Sequence, residues 1–297
     1  VFFYFLKTNN PYFKDKDIHT LPIEVLDMIT AMDVEEYLSY LESYTKDGKL
    51  YTNREEGKAR KLSSLKSFYD YYFKKNLIRT NPPRQVDVPK IKNKNIIRLD
   101  PNEIAQLLDE AESGEKLSGR QLASHEKTKV RDVAILTLLL GTGIRVSECV
   151  GLNLEDVDFN NGAIRIIRKG GNEALIYFGD EVSQALEAYM NGPRKKDEPA
   201  AGHEEALFIS LNKTRITTRS VERLVKKYSR LVTTVKKITP HKLRSTFGTA
   251  LYQETGDIYL VADTLGHKDV NTTKKHYAAI DEHRRRMAAN VVKLRES

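Results

Sequence analysis

Cysteine is nearly absent from this 297-residue chain, with Cys149 the single example. One thiol cannot build a disulfide framework or a multi-cysteine zinc site, so a reducing, cytoplasmic setting is the expectation. Long apolar runs are missing as well. No window approaches the roughly eighteen uncharged apolar residues of a membrane-spanning helix, and no signal-peptide pattern opens the chain, so no membrane partner is expected. Carboxylates grouped for metal chemistry are lacking too. Asp156 and Asp158 are close in sequence, yet no further acidic motif accompanies them, and they read as solvated turn residues. Two-metal catalysis needs several converging carboxylates, so neither a metal nor another cofactor is expected. No internal repeat or low-complexity segment is visible. What is present is a globular composition, 40% hydrophobic and 30% charged. It excludes a fully disordered chain and supplies core enough for two ordinary domains.

Charge is unevenly spread. Lys and Arg number 49 against 41 Asp and Glu, a net charge of +8. Residues 1–44 hold 3 basic and 8 acidic side chains, whereas residues 45–92 hold 13 basic and 5 acidic. A basic surface therefore follows an acidic segment, and clustered positive charge points to a polyanionic partner.

Residues 1–79 read as helical. The chain opens at Val1 inside the apolar run VFFYFLK, so a helix is expected to begin upstream in a longer parent chain. Leu21-Pro22 and the segment from Met32 mark helix starts, with Asp33 as an N-cap. From Asn53 to Lys75 the residues Leu62, Leu65, Phe68, Tyr69, Tyr72 and Phe73 recur at spacings of three and four, which predicts one apolar helical face. Lys58, Arg60, Lys61, Lys66, Lys74 and Lys75 take much of the rest. Pro82, Pro83 and Pro89 then stop the helix and favour extended chain. A linker is placed at residues 82–97, between a helical domain at 1–90 and a second domain at 98–297. A new helix is predicted at Asp100-Pro101-Asn102-Glu103.

The second domain is mixed. Val130 to Leu140 predicts an apolar helix. Residues 162–168 and 174–178 are β-like runs around Gly170-Gly171-Asn172, a hairpin signal. Helical patterns follow at 180–190, at 218–232, and from 241 almost to the end.

Four short segments could carry chemistry. In Gly141-Thr142-Gly143-Ile144-Arg145-Val146-Ser147-Glu148, two glycines break a helix and an arginine opens the next. Backbone N–H groups and a guanidinium can share one phosphate there. Lys169 sits at the predicted hairpin tip, where it could reach a DNA groove or a leaving oxygen. His241-Lys242-Leu243-Arg244 puts a histidine and an arginine on one helical face, able to move a proton and hold charge at one phosphate. Leu265-Gly266-His267 is followed by a helix start and by Tyr277. Taken singly, each segment also fits an ordinary joint, hairpin tip or packing position.

Their joint order is more specific. Arg145, Lys169, His241, Arg244, His267 and Tyr277 appear in the order and approximate spacing of the tyrosine recombinase/integrase family, and the chain resembles that family over nearly its whole length. The phrases GTGIRVSE, TPHKLRSTF and LGHKDVNTT carry the likeness, which is greatest to Xer recombinases and to integrases of phages and conjugative elements. The resemblance implies a mostly α fold with a small antiparallel β-sheet in the catalytic domain. It further implies a two-domain architecture forming a clamp around DNA, with residues 1–90 as the core-binding domain.

The implied chemistry is transesterification. Tyr277 would attack a scissile phosphate, forming a 3′-phosphotyrosyl link and releasing a 5′-hydroxyl. Arg145 and Arg244 would stabilise the phosphorane-like state, His241 would assist the tyrosine proton, Lys169 would protonate the leaving 5′-oxygen, and His267 would donate to a nonbridging oxygen. Glu148 would buttress Arg145. Double-stranded DNA is the expected partner, bound by a homotetramer on two DNA sites, with an excisionase or a host DNA-bending protein as accessory. The stripe Met287, Val291, Leu294 is expected to dock on a neighbouring subunit. Arg60, Lys61, Lys66, Arg215 and Arg219 are expected to face DNA. Exchange through a Holliday junction stands against two alternatives: type IB topoisomerase-like strand passage, and a DNA-binding module without catalysis. The intact set of six residues argues against the last.

Overall fold

The computed structural model describes residues 1–91, 97–168 and 170–267, with Val270 and Thr273. Lys169, Tyr277 and the terminal stripe from Met287 to Leu294 lie outside the described residues. The chain divides into two compact units, residues 1–94 and 95–297.

The first unit is built around aromatic side chains. Helix α1 (Phe2–Asn9) buries Phe2, Phe5 and Leu6. Two short 3-10 turns lead into α2 (Ala31–Tyr40). Asp33 is not the N-cap expected from sequence. Thr30 is the cap, and Asp33 sits three residues on, its carboxylate accepting from the Thr30 amide at 2.8 Å. This reciprocal box satisfies two helix-end donors instead of one.

Residues 1–79 are not wholly helical, which corrects the sequence reading. Strands β1 (Ser43–Lys46) and β2 (Lys49–Thr52) form a hairpin, with Tyr44 opposite Tyr51. The cause is the dipeptide Asp47-Gly48, whose φ values of 50° and 72° suit a two-residue turn of strand-compatible twist. Tyr40, Tyr44 and Tyr51 stack in succession.

Helix α3 (Glu55–Lys74) buries Leu62, Leu65 and Tyr69 as its periodicity predicts, while Phe73 turns outward. The segment expected to be extended opens as a helical turn instead, α4 (Pro82–Gln85). Proline is tolerated in a first turn because its missing N–H is needed by no helical acceptor. Pro82, Pro83 and Val86 are buried, and Lys66 Nζ donates to the Val86 carbonyl at 2.8 Å.

The second unit begins with α5 (Pro101–Ser113), capped by Asp100 with Glu103 in a reciprocal box. Helix α6 (Gly119–Thr142) runs through its centre and buries Ala134, Ile135, Leu136, Leu138 and Leu139. Gly141 stays inside α6; only Gly143, at φ +63°, ends it. Then come α7 (Val146–Gly151) and a three-stranded antiparallel sheet, β3 (Val157–Asp158), β4 (Ala163–Ile167) and β5 (Glu173–Tyr177). Ile164 and Ile166 on β4 and Ile176 on β5 face the core. Asp156 is not a solvated turn residue, since it accepts from the Asn153 amide and from Arg165.

Helices α8 (Asp180–Tyr189), α9 (Thr218–Val232), α10 (Pro240–Thr255) and α11 (Ile258–Leu265) complete the described unit. The single helix expected from 241 onward is broken at Gly256, whose φ of +74° caps α10 and turns the chain. A buried polar network crosses the core. Asp132 accepts from Thr128, from Arg131 and from the Tyr228 hydroxyl, which also meets His125 Nδ1 at 3.0 Å. Its members partner one another, which removes most of the cost of burying them.

Gly143 joins three elements. A Cβ there would stand 2.3 Å from the Phe247 ring on α10 and 3.0 Å from Leu265 at the end of α11. Gly143→Ala combines this overpacking with left-handed strain, and we expect a loss of about 2–4 kcal/mol in chemical unfolding. An unchanged midpoint would contradict this packing.

Candidate functional site

The C-terminal end of α11 gathers positive charge. A helix ends with carbonyls that lack intrahelical donors and with the negative pole of its dipole. Gly266, at φ +61°, turns the chain out of α11 there. Three guanidiniums meet the carbonyls of residues 263–266.

Arg145 is the first. It is the N-cap of α7, two residues beyond the left-handed Gly143. Glu148, one turn into α7, accepts from the Arg145 amide at 2.6 Å and from its Nη1 at 2.8 Å. The Glu148 side chain is only 4% exposed, whereas that of Arg145 is 38% exposed. The carboxylate thus grips a guanidinium that is still open to solvent, and Nη2 reaches the Gly266 carbonyl at 3.2 Å.

Arg244 is the second. It lies on α10 and is buried, with Nη1 donating to the Gly143 carbonyl at 2.6 Å and Nη2 to the Leu265 carbonyl. Its planar fork spans two chain ends that would otherwise present bare carbonyls. Three residues earlier, His241 is exposed in the first turn of α10, its carbonyl accepting from Ser245.

The third, Arg168, was missed by sequence reasoning. It follows β4, and its Nη2 donates to the Thr264 carbonyl at 3.1 Å, with both terminal nitrogens 3.4 Å from that of Asp263. An Arg-Lys pair before a glycine turn gives no sign of which side chain turns inward.

His267 leaves the same turn. Its amide donates to the Ala262 carbonyl, and its Nδ1 lies 2.7 Å from the buried Thr273 hydroxyl, which fixes the ring. The structure thus brings Arg145, Arg244 and His267 to one helix end, with His241 one helical turn from Arg244. Of the three guanidiniums only Arg145 is paired with a carboxylate, Glu148, while Arg168 and Arg244 are bonded to neutral carbonyls, so positive charge is in excess. Such a site suits a phosphate. Cys149, fully buried behind it, has its thiol pushed by desolvation up to about 12 and offers no nucleophile.

The residues expected to face DNA divide. Arg60 and Arg219 are exposed. Lys61 donates to Asn53 Oδ1, and Lys66 to the Val86 carbonyl. Arg215 turns inward, donating to the Val150 carbonyl at 3.1 Å, to the Leu152 carbonyl at 2.7 Å and to Asn153 Oδ1. Lys66 and Arg215 thus serve the fold through these bonds, satisfying acceptors that it would otherwise leave bare. Among the described residues, no group of three or more His, Cys, Asp or Glu could hold a metal ion, and no helix is long and apolar enough to cross a membrane.

This cluster of guanidiniums, on a helical unit carrying a small antiparallel sheet, has the chemistry of an anion-binding site. Comparison with known proteins makes the class specific. Residues 97–284 match the phage integrase family. The chain is 37% identical over 218 residues to the tyrosine recombinase XerC of Thermodesulfovibrio yellowstonii, covering 73% of this chain and 69% of that one. It is 31% identical over 297 residues to the XerC of Caldanaerobacter subterraneus subsp. tengcongensis, covering 98% and 78%. The fold is shared with the Tn1549 transposon integrase in complex with circular intermediate DNA, at a TM-score of 0.66 and 23% identity over 92% of this chain and 89% of that one. The chain belongs to the phage integrase family. It is a tyrosine site-specific recombinase.

Arg215 tests the separation of structural from surface cations. Arg215→Met strips partners from three acceptors, and we expect a stability loss of about 1–3 kcal/mol by thermal unfolding. Full stability in this variant would return Arg215 to the surface set.

Proposed function

We propose that this recombinase cuts and rejoins duplex DNA at the basic end of α11 with Tyr277 as nucleophile. The observation that carries the reading is the convergence of Arg145, Arg244 and His267 on one helix end. The Tyr277 oxygen attacks the scissile phosphorus, the bond to the 5′-oxygen breaks, and a 3′-phosphotyrosyl link retains the bond energy for religation. Arg145 and Arg244 hold the nonbridging oxygens, because guanidiniums stay charged and donate in a plane. His267 donates to a nonbridging oxygen, His241 assists transfer of the tyrosine proton, and Lys169 protonates the departing 5′-oxygen.

Double-stranded DNA is the partner in this reading. The DNA-bound integrase with the same fold supports it, as does the charge of residues 45–92. Residues 1–90 act as the core-binding domain, and Arg60 and Arg219 contact phosphates. Four copies act on two DNA sites, exchanging strands through a Holliday junction, with an excisionase or host DNA-bending protein as accessory. The XerC relatives favour site-specific exchange over topoisomerase-like relaxation.

The central experiment needs a target. A duplex site selected from a randomised pool by binding to the wild-type chain, then nicked beside the scissile position, lets the short cleaved fragment diffuse away. The wild-type chain is expected to form a covalent adduct, in excess EDTA as well as without it. Tyr277→Phe should bind equally and form none. An adduct mapped to another residue sinks the nucleophile assignment, and an adduct lost in EDTA and restored by magnesium sinks the metal-free mechanism.

A second measurement concerns the surface cations. Each released phosphate contact lowers the slope of log K against log salt by about 0.9. Arg60→Ala and Arg219→Ala should each show a reduction of about that size with stability unchanged. Slopes equal to wild type would remove both from the DNA contacts.

A further inference from the structure

Arg168 occupies an unusual position between two parts of the site. Its backbone closes the β4–β5 hairpin: the amide donates to the Asn172 carbonyl at 2.8 Å, and its carbonyl accepts from Gly171 at 3.0 Å. Residue 168 is therefore held on both sides of its peptide unit, immediately before the tip. Its side chain leaves the hairpin altogether. The guanidinium lies on the last turn of α11, donating to the carbonyls of Asp263 and Thr264.

The contact is close as well as polar. A Cβ on Gly266 would stand 2.3 Å from Arg168 Nη1 and 2.4 Å from its Cζ, so the guanidinium lies directly against the glycine backbone. Arg168 Nε is buried there with no hydrogen-bond partner. A buried donor left unpaired costs stability. The fold keeps this cost at the point where hairpin and helix end meet. Gly266 is also the residue whose carbonyl holds Arg145, and His267 is the next residue along.

We propose that Arg168 is a positioning residue for DNA cleavage. It pins the β4–β5 hairpin to the C-terminal end of α11, so that the hairpin and the Gly266-His267 turn meet one phosphate as a single unit. Arg168 itself touches carbonyls, not the reacting atoms. The physical need is clear from the elements joined. The turn between Arg168 and Asn172 holds two consecutive glycines, Gly170 and Gly171, and the α11 end holds Gly266, while a misplacement of about 1 Å at a reacting centre can cost about a hundredfold in rate. A cation at a helix C-terminus is also favoured by the helix dipole, so the pin is stable without a carboxylate partner.

This inference rests on the proposed phosphotyrosyl chemistry, and the experiment separates the two. Arg168→Ala, Arg168→Lys and the wild type are compared on the selected, nicked duplex, with DNA affinity, thermal midpoint and single-turnover adduct formation at saturating protein each measured. For Arg168→Ala we expect DNA affinity within about twofold of wild type and adduct formation slowed roughly tenfold to a hundredfold. Arg168→Lys keeps a cation able to donate to the Thr264 and Asp263 carbonyls and should recover most of the rate. Arg168→Ala cleaving at the wild-type rate overturns the proposal. So does a slowing fully accounted for by lost affinity or lost stability, or one that Arg168→Lys shares in full. Absence of an adduct from the wild-type chain would instead fail the phosphotyrosyl reading itself.

Discussion

The carbonyls at the end of α11 are the meeting point on which the site depends. Hydrogen bonds from arginine to carbonyl are ordinary in strength, but here three side chains from three distant parts of the chain end on four consecutive residues. Arg145 comes from the α6–α7 joint, Arg168 from the sheet and Arg244 from α10. Each carries its own element to the same place, so the local order of the site follows from one helix end needing donors. The dipole of α11 adds attraction for all three. Repulsion among the cations is reduced by the buried carboxylate of Glu148, which pairs with Arg145 and is fixed by capping α7.

Left-handed glycines make this approach feasible. Gly143 lets α6 end where Phe247 and Leu265 leave no room for a side chain, and its carbonyl then becomes the acceptor for Arg244. Gly266 does the same at α11, lying flat against Arg168 while its carbonyl serves Arg145. In both cases the absent Cβ permits close packing and the positive φ ends the helix. Sterics and hydrogen bonding therefore act on the same two residues.

Much of this was legible in the sequence, for identifiable reasons. The strong periodicity of Leu62, Leu65 and Tyr69 gave α3, and Asp100 before Pro101 gave the start of α5, because these signals are local. The order of Arg145, His241, Arg244 and His267 pointed to one site, and the described structure brings three of them to one helix end. What was not legible depends on contacts distant in sequence. Nothing near Arg215 announces that the Val150 and Leu152 carbonyls await it, and nothing near Arg168 announces α11. The hairpin at Ser43–Thr52 is a different case: Asp47-Gly48 is a local turn signal, set between segments of helical pattern. Thr30 likewise displaced Asp33 as cap because the box satisfies both ends at once.

The same distinction bears on how net charge should be read. A charge of +8 spread over 297 residues suggests a polyanion partner, but many cations are already committed. Lys58 is paired with Glu42 and Glu55, Arg131 with Asp132, and Lys236 with Asp100 and Glu103. Those pairs cancel locally and leave little field at the surface. Arg215 and Lys66 are bonded to neutral carbonyls, so their charge is uncancelled although part of their donor capacity is engaged. Arg145 belongs to neither group. It is paired with a carboxylate, yet its guanidinium remains partly open, and five N–H groups in a plane exceed what Glu148 and Gly266 consume. A lysine in that place would keep the backbone bond to Glu148 but would have three donors at one point and no planar fork to reach both the Glu148 carboxylate and the Gly266 carbonyl. The capacity to bind a carboxylate and a helix-end carbonyl with one side chain and still present N–H groups to solvent is what makes arginine the residue suited to this helix end.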